Sequence, residues 1–322
     1  MNLARSVRAV AGASGDGNVD WDAVAAAAKA ATDSGDLSVS DAEREAYAAD
    51  VRAARDRIRA VSGVEFDLPA SATVVNRHHW IDRNVETFAR VMAPIENRDP
   101  DEFGGAALQD LARVLNTGSM SFAVSMLARK VIGQYDPLLL ADGDDHALYF
   151  VHPNVERTAG ELDVDRDLFR RWIAFHEVTH AAEFGGTPWL SDHLETRLEA
   201  GVEALSAGGF DRDAFRELNT AMTAVEGYAE LLMDRAFDED AAAMREKLER
   251  RRRASGPVSW LLQRVLGLGL KRRQYERGKR FFEAVADARG VEAAGVVWER
   301  PGNLPSDAEL DHPQRWLDRV DP

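Results

Sequence analysis

The sequence predicts a mostly α-helical protein with a small β-sheet. Over most of the chain, apolar residues recur every three or four positions, which is the spacing of one face of an α-helix. Residues 147–151 (Ala-Leu-Tyr-Phe-Val) are the best candidate for a strand, because this segment is short, aromatic and β-branched. The strand content is therefore expected to be small.

Individual helices follow from this spacing and from the residues that can cap them. Residues 21–32 and 40–61 have helical spacing, and Ser40 can act as the N-cap of the second helix. Residues 77–94 also carry apolar residues at helical positions. Residues 105–132 form a long, weakly polar pattern, which predicts a pair of buried helices.

Composition divides the chain near residue 70. Residues 1–70 are rich in Ala and Asp and carry the first two helical patterns, whereas the motifs that bear on chemistry all lie later. We therefore expect residues 1–70 to form an N-terminal helical segment packed on the main body. Residues 71–322 are expected to form the functional domain.

His176, Glu177 and His180 form the motif H-E-x-x-H within a predicted helix. Asp163 or Asp165 can cap its N-terminus, and a Gly-Gly-x-Pro sequence ends it. Residues four apart project from the same helix face, so the two imidazoles can bind one zinc ion while the Glu contacts water. The alternative is a helix with two buried histidines, but both would then need hydrogen-bond partners.

A catalytic zinc site has three protein ligands and one open position. The metzincin extension of the motif would place Gly at 183 and His at 186, but this chain has Glu183 and Gly186, and it has no Cys. The best candidate for the third ligand is Glu226, on a later amphipathic helix. Glu183, Asp192 and His193 are weaker alternatives.

Glu230 lies one helical turn after Glu226, on the edge of the same apolar stripe. It is predicted to accept a hydrogen bond from the N–H of a ligating imidazole. The alternative is that both Glu side chains are solvated on a helix surface. Gly227 is unfavourable inside a helix, so it indicates that another backbone, expected to be the H-E-x-x-H helix, comes close.

The motif predicts hydrolysis by water that is activated at zinc, with Glu177 as general base. Such a reaction also needs a group that stabilises the oxyanion or contacts the substrate. Tyr228, His193 and Tyr275 are candidates for this role, and their spacing does not select among them.

The composition is acidic, with 55 Asp and Glu against 40 Lys and Arg and a formal net charge of −15. This charge argues against general nucleic-acid binding. Only five of the basic residues are lysine, and an acidic, Lys-poor surface is typical of a halophilic protein. The lack of Cys, of a signal-peptide pattern and of a transmembrane segment predicts a cytoplasmic location.

One segment departs from the acidic trend. Residues 245–253 and 271–280 each contain six basic residues, and the apolar residues 257–270 lie between them. Such a segment can contact a membrane surface through residues 256–280. A core helix between two solvated basic faces is the favoured interpretation.

The chain resembles the zincin-like family of zinc-dependent metalloproteases that is described as associated with coenzyme F420 biosynthesis. The resemblance rests on motifs such as His-Glu-Val-Thr-His at 176–180, Glu-Gly-Tyr-Ala-Glu at 226–230 and Gln-Tyr-Glu-Arg-Gly at 274–278. The other matching stretches are residues 74–84, 131–137, 148–154, 188–190, 297–301, 304–305 and 316–319.

This resemblance implies a zincin-like metallohydrolase fold for the main domain, with zinc as the cofactor. It also implies that His176 and His180 are metal ligands and that Glu177 is the base. A physiological substrate does not follow from it.

The function predicted from the sequence is that of a zinc-dependent hydrolase, and a peptidase is favoured. One alternative is a catalytically silent, zinc-binding scaffold for a partner, against which the intact Glu177 argues. The other is a small-molecule amidohydrolase linked to F420 metabolism. The sequence does not distinguish a peptide from another amide substrate, and cleft shape would separate the two.

Overall fold

Helices and one small sheet make up the fold of the protein in its computed structural model. The structure describes residues 2–15, 17–68, 72–96, 106–136, 147–206, 211–237, 241–254 and 272–322. The helices are α1 (Leu3–Ala11), α2 (Trp21–Ala31), α3 (Asp41–Ser62), α4 (Arg77–Glu96), α5 (Ala106–Ala128), α6 (His152–Leu162), α7 (Arg166–Gly185), α8 (Pro188–Ser206), α9 (Arg212–Ala236), α10 (Ala242–Ala254), α11 (Arg272–Arg289), α12 (Val291–Gly295), α13 (Asp307–Asp311) and α14 (Pro313–Val320). Two 3-10 turns, Val296–Trp298 and Pro301–Asn303, follow α12.

The sheet of the described residues has three strands, β1 (Ala72–Val75), β2 (Gly133–Asp136) and β3 (Ala147–Val151), in the order β1-β3-β2. Strand β3 pairs in parallel with β1 and antiparallel with β2. The buried side chains of Leu148 and Phe150 fix β3 in the core. Because β3 is the central strand in this order, β2 lies at an edge of the sheet.

Hydrogen bonds between Gln134 and two side chains of α4 hold β2 in place. The Trp80 indole N–H donates a hydrogen bond to Gln134 Oε1 at 2.6 Å. The Gln134 amide in turn donates to Asn84 Oδ1 at 3.0 Å. Since Trp80 and Asn84 are both buried on α4, this network ties the edge strand to a helix.

Helix α7 runs through the main hydrophobic core. Asp165 caps its N-terminus by accepting a hydrogen bond from Leu168 N at 2.8 Å, and Gly186 is its C-cap. Phe169 and Phe175 are fully buried in the core, with α3 and α9 packed against the helix. A second cluster of buried apolar residues joins α2, α4 and α5.

The close helix crossing predicted at Gly227 is present, but its partner is α11. A Cβ atom at Gly227 would lie 2.6 Å from Gly278 Cα and 2.7 Å from the Gly278 carbonyl oxygen. The two glycines therefore let the backbones of α9 and α11 touch. The expectation that the H-E-x-x-H helix makes this contact was wrong, because Gly227 faces the other side of α9.

The predicted fold class, mostly α with a small sheet, is confirmed. The strand at 147–151 and the capping role of Ser40, which forms a capping box with Glu43, are as predicted. The buried helix pair over 105–132 was wrong, since α5 is one continuous helix with Leu115 and Phe122 exposed. A single internal glycine, Gly118, does not break a helix of this length.

The domain boundary near residue 70 and the role of the basic-flanked segment remain predictions. Helices α1 and α2 pack on each other and on α5, and α3 packs on α7, but a domain boundary at residue 70 is untested. Most of the basic-flanked segment, residues 255–271, lies outside the described residues. Among the described residues, the structure has no helix that is long and apolar enough to cross a membrane.

The Gly227 crossing gives a test of the packing. We expect Gly227→Ala to lower the free energy of unfolding by about 1–3 kcal/mol, because its methyl group overlaps the α11 backbone. Gly160→Ala is the matched control, since nothing lies within 4 Å of a Cβ atom there. Alanine in that helix should stabilise the protein by about 0.5–1 kcal/mol. Urea unfolding measures both changes, and equal effects would contradict the crossing.

Candidate metal centre

Helix α7 presents His176 and His180 side by side. Their ring centroids are 4.8 Å apart with planes at 82°, as expected for residues one turn apart on a single face. Trp172, one turn earlier, stacks on the His176 ring at 5.8 Å with an interplanar angle of 5°. Both imidazoles are only partly buried, so they can be reached from outside the core.

The third group comes from α9, which packs against α7. Each of His176, His180 and Glu226 offers one ligand atom, and these three atoms all lie within 4.8 Å of one another. Glu226 Oε2 is buried and has no hydrogen-bond partner among the described residues. Of the candidates for the third ligand, Glu226 is the one that the structure brings to the two histidines.

Glu183 holds one of the two imidazoles. His180 Nδ1 lies 2.9 Å from Glu183 Oε2, and since an ionised carboxylate only accepts hydrogen bonds, the ring nitrogen donates. The other ring nitrogen, Nε2, is then the one that can bind a metal. Glu183 is only 1% exposed, so it is fixed in this position by the surrounding core.

Glu177 is buried beside the edge strand β2. Its Oε2 accepts a hydrogen bond from the Tyr135 N–H at 2.8 Å. A Cβ atom at Gly133 would lie 2.7 Å from both Glu177 Cγ and Oε1. The strand can therefore approach the carboxylate only because residue 133 has no side chain.

Burial raises the pKa of Glu177 to about 7, and the nearby Glu226 carboxylate raises it too, while His180 and the Tyr135 N–H oppose the shift. A general base works best with a pKa near the working pH. A cation bound to the neighbouring ligands would favour the ionised form and lower this pKa again. The carboxyl group is therefore placed where it can both accept and release a proton.

The electrostatics of the cluster favour a positive charge. Burial lowers the pKa of His180, but its hydrogen bond to Glu183, together with the charges of Glu226, Glu183 and Glu177, raises the pKa above its ordinary value overall. Without a metal, the surroundings of this imidazole therefore favour its protonated form. A metal ion that binds there must displace the proton, so metal affinity is expected to rise with pH.

The donor set fits zinc. Two imidazole nitrogens and one carboxylate oxygen are the ligands of a well-known class of catalytic zinc sites. A tetrahedral ion with bonds of about 2.1 Å has ligand atoms roughly 3.4 Å apart. Atoms within 4.8 Å of one another reach that spacing through small side-chain rotations.

The remaining predicted residues lie elsewhere. Glu230 is partly buried on α9, where its charge acts on Arg245. Tyr228 is 1% exposed and packs against Phe282 and Trp298, on a different face of α9 from Glu226.

Two further candidates are on other helices. His193 is on α8 with its ring 5.6 Å from that of Trp189, and Asp192 is exposed beside it. Tyr275 lies near the start of α11, and its side chain is outside the described part of the structure. The roles proposed for Glu230, Tyr228, His193 and Tyr275 remain predictions.

Sequence reasoning missed two contacts of the site. Glu183 was considered only as a metal ligand, although its position three residues after His180 on one helix could have indicated the hydrogen bond between them. The contact of Tyr135 with Glu177 uses a backbone N–H. No pattern of side chains in the sequence therefore indicates it. Only the glycine at 133, within a strand, is a signal of close approach.

Comparison with known proteins identifies the family of the chain. The chain belongs to the zincin-like metallopeptidase family, whose model matches residues 19–209 and 201–317. The resemblance found in the sequence motifs is thereby confirmed.

A crystal structure from Chloroflexus aurantiacus, of a provisionally assigned hydrolase with a novel fold, is similar to the chain. The TM-score is 0.75 at 29% sequence identity, and the match covers 100% of this chain and 99% of that chain. A search of the curated proteins found no match. The family and this structure together support a metal-dependent hydrolase.

The position of Glu183 makes a prediction about metal affinity. Glu183→Gln should weaken zinc binding about 10- to 100-fold, because the His180 N–H loses a charged acceptor. Competition with a chromophoric chelator measures the affinity. Glu230→Gln is the matched control and should change it less than about threefold. The reverse order of effects would instead support Glu230 as the partner of a ligating imidazole.

Proposed function

We propose that this protein is a zinc-dependent hydrolase whose substrates are peptides. The observation that carries the proposal is the convergence of His176, His180 and Glu226, from two helices, beside the buried Glu177. Membership of the zincin-like metallopeptidase family supports the same reaction class.

In this proposal each residue of the site has a separate role. His176, His180 and Glu226 would hold zinc, which when bound acts as a Lewis acid toward water and the substrate carbonyl. Glu177 takes a proton from the attacking water and returns it to the leaving amine. Glu183 keeps His180 in the tautomer that leaves Nε2 available, and Tyr135 keeps the Glu177 carboxylate oriented.

A peptide substrate is favoured by the position of β2. All four residues of β2 lie in register with β3, Tyr135 opposite Leu148, and the Tyr135 N–H donates to Glu177 rather than to β3. The outer edge of β2, in the sheet of the described residues, therefore lies beside Glu177 and the candidate metal centre, with the Tyr135 N–H already used by Glu177. An extended peptide can add to such an edge through backbone hydrogen bonds.

The link to coenzyme F420, the cytoplasmic location and the halophilic character rest on sequence alone. They stay predictions. Assays of this acidic protein should therefore be run at both low and high salt.

The metal ligands can be tested without a substrate. We expect the purified protein to bind one zinc ion per chain, measured by elemental analysis after dialysis. Glu226→Ala should lower zinc affinity by at least about 100-fold, since it removes one of three ligands. Glu217→Ala, at a surface ion pair on the same helix, is the control. Unchanged affinity in Glu226→Ala would exclude Glu226 as a ligand.

The general base is tested by Glu177→Gln. The amide oxygen can still accept the hydrogen bond from the Tyr135 N–H, but it cannot take a proton at neutral pH. We expect zinc content to stay at the wild-type level while turnover of an internally quenched peptide library falls about 10²- to 10⁴-fold. Wild-type turnover in the variant would rule out this mechanism. A zinc-loaded wild-type protein that cleaves no peptide would contradict the peptidase proposal.

A further inference from the structure

A cavity of about 380 Å³ lies behind the metal centre. It is formed where α3 and α7 end, against α9 and the segment from α12 to the first 3-10 turn. None of the three candidate zinc ligands lines it, and neither does Glu177. Its volume is within the range of pockets that hold small molecules or single side chains.

Glu183 separates the cavity from the metal centre. Its Oε2 accepts the hydrogen bond from His180, whereas its Oε1 is buried and has no hydrogen-bond partner among the described residues. Tyr228 and Trp298 also line the cavity, and the Tyr228 hydroxyl and the Trp298 indole N–H have no such partner either. These three side chains are 1%, 1% and 6% exposed. Buried polar atoms of this kind are costly unless a ligand or solvent satisfies them.

The cavity is acidic. Glu183 lies inside it and the exposed Glu292 and Glu299 lie at its edge, while no Lys, Arg or His is among the residues that line it. The aromatic rings of Tyr228 and Trp298 form part of its wall. Carboxylates next to aromatic rings are the surroundings that bind organic cations, through ion pairs and cation–π contacts.

A metal ion is a poorer match for this cavity. Hard divalent cations take roughly six or more oxygen ligands. Among the described residues, the group of ligating side chains close enough to share an ion is that of His176, His180 and Glu226. The cavity therefore offers dispersed carboxylates, which suit a larger cation.

We propose that this cavity is a second binding site, which takes the ammonium or guanidinium group of an organic cation. The cationic group contacts Glu183, with Glu292 and Glu299 at the entrance. The cation is either a free amine or the basic side chain of a peptide, since both offer the same chemistry.

Glu183 also couples the two sites. A cation that contacts its Oε1 draws negative charge away from the hydrogen bond to His180 and adds positive charge near the metal. Zinc should therefore bind more weakly when the cavity is occupied, and by linkage the cation should bind more weakly when zinc is present. The cavity would act as a regulatory site for the metal centre.

Calorimetric titration of the zinc-free full-length protein with agmatine tests the site independently of any hydrolase activity. We expect saturable binding with one agmatine per chain, and at least tenfold weaker binding of n-butanol, a neutral analogue. Agmatine represents a free cation, and arginine blocked at both ends as N-acetyl and N-methylamide represents a peptide side chain. Binding of agmatine alone assigns the site to free amines, and comparable binding of both assigns it to basic side chains as well.

Two variants and a charge-matched control separate charge from shape. Glu292→Gln with Glu299→Gln should weaken agmatine binding at least fivefold, whereas Glu86→Gln with Glu199→Gln removes the same charge from exposed positions on α4 and α8 and should not. Gly295→Val should block binding, because a Cβ atom there already lies 3.4 Å from the Tyr228 hydroxyl. Circular dichroism checks that each variant is folded.

Several outcomes would overturn the proposal. Agmatine that does not bind, or that binds equally well to the Glu292→Gln, Glu299→Gln protein or to Gly295→Val, would exclude the cavity as a cation site. If saturating agmatine does not lower zinc affinity at least threefold, the coupling through Glu183 is wrong.

Discussion

The candidate metal centre depends on carboxylates held in a largely buried position beside two imidazoles. Glu177 and Glu183 are almost fully buried, and Glu226 is partly buried next to His176 and His180. Taking negative charge out of water is unfavourable unless a positive charge compensates it. Burial lowers the pKa of His180, but the carboxylates around it raise this pKa overall, which favours a compensating proton there. A divalent cation would compensate the negative charge more completely, so the packing that orients these groups also favours metal binding.

The candidate site residues that the sequence singles out are those that follow helical periodicity. His176 and His180 are four apart on one helix, and Glu226 stood out because it edges the apolar stripe of a second helix. Whether the two helices pack together at these positions depends on the tertiary structure. The approach of β2 to Glu177, allowed by Gly133, likewise depends on how distant segments pack. Periodicity in a single segment carries no information about either contact.

For the fold, an element could be predicted where its own residues carry a clear capping or periodicity pattern. The caps of α3 and α7 are formed by the side chains of Ser40 and Asp165, which the sequence displays directly. Strands β1 and β2 have four residues each, too few for alternation to be distinguished from chance, and β3 supplies their pairing. Helix α5 was misread because its apolar residues suggested burial, yet Leu115 and Phe122 are exposed. Hydrophobicity alone does not say which face of a helix is covered.

The packing at the end of α7 explains why the third candidate ligand comes from another helix. A Cβ atom at Gly186 would lie 2.5 Å from Val64 Cγ1 and 2.8 Å from the Ala182 carbonyl oxygen. A histidine at this position, as the metzincin pattern requires, would therefore collide with the segment after α3. The same helix end leaves Glu183 free to contact His180 on one side and the acidic cavity on the other. With position 186 filled by packing, the carboxylate of Glu226 on α9 is the candidate for the third ligand position, and the space behind the helix is available for the proposed second ligand.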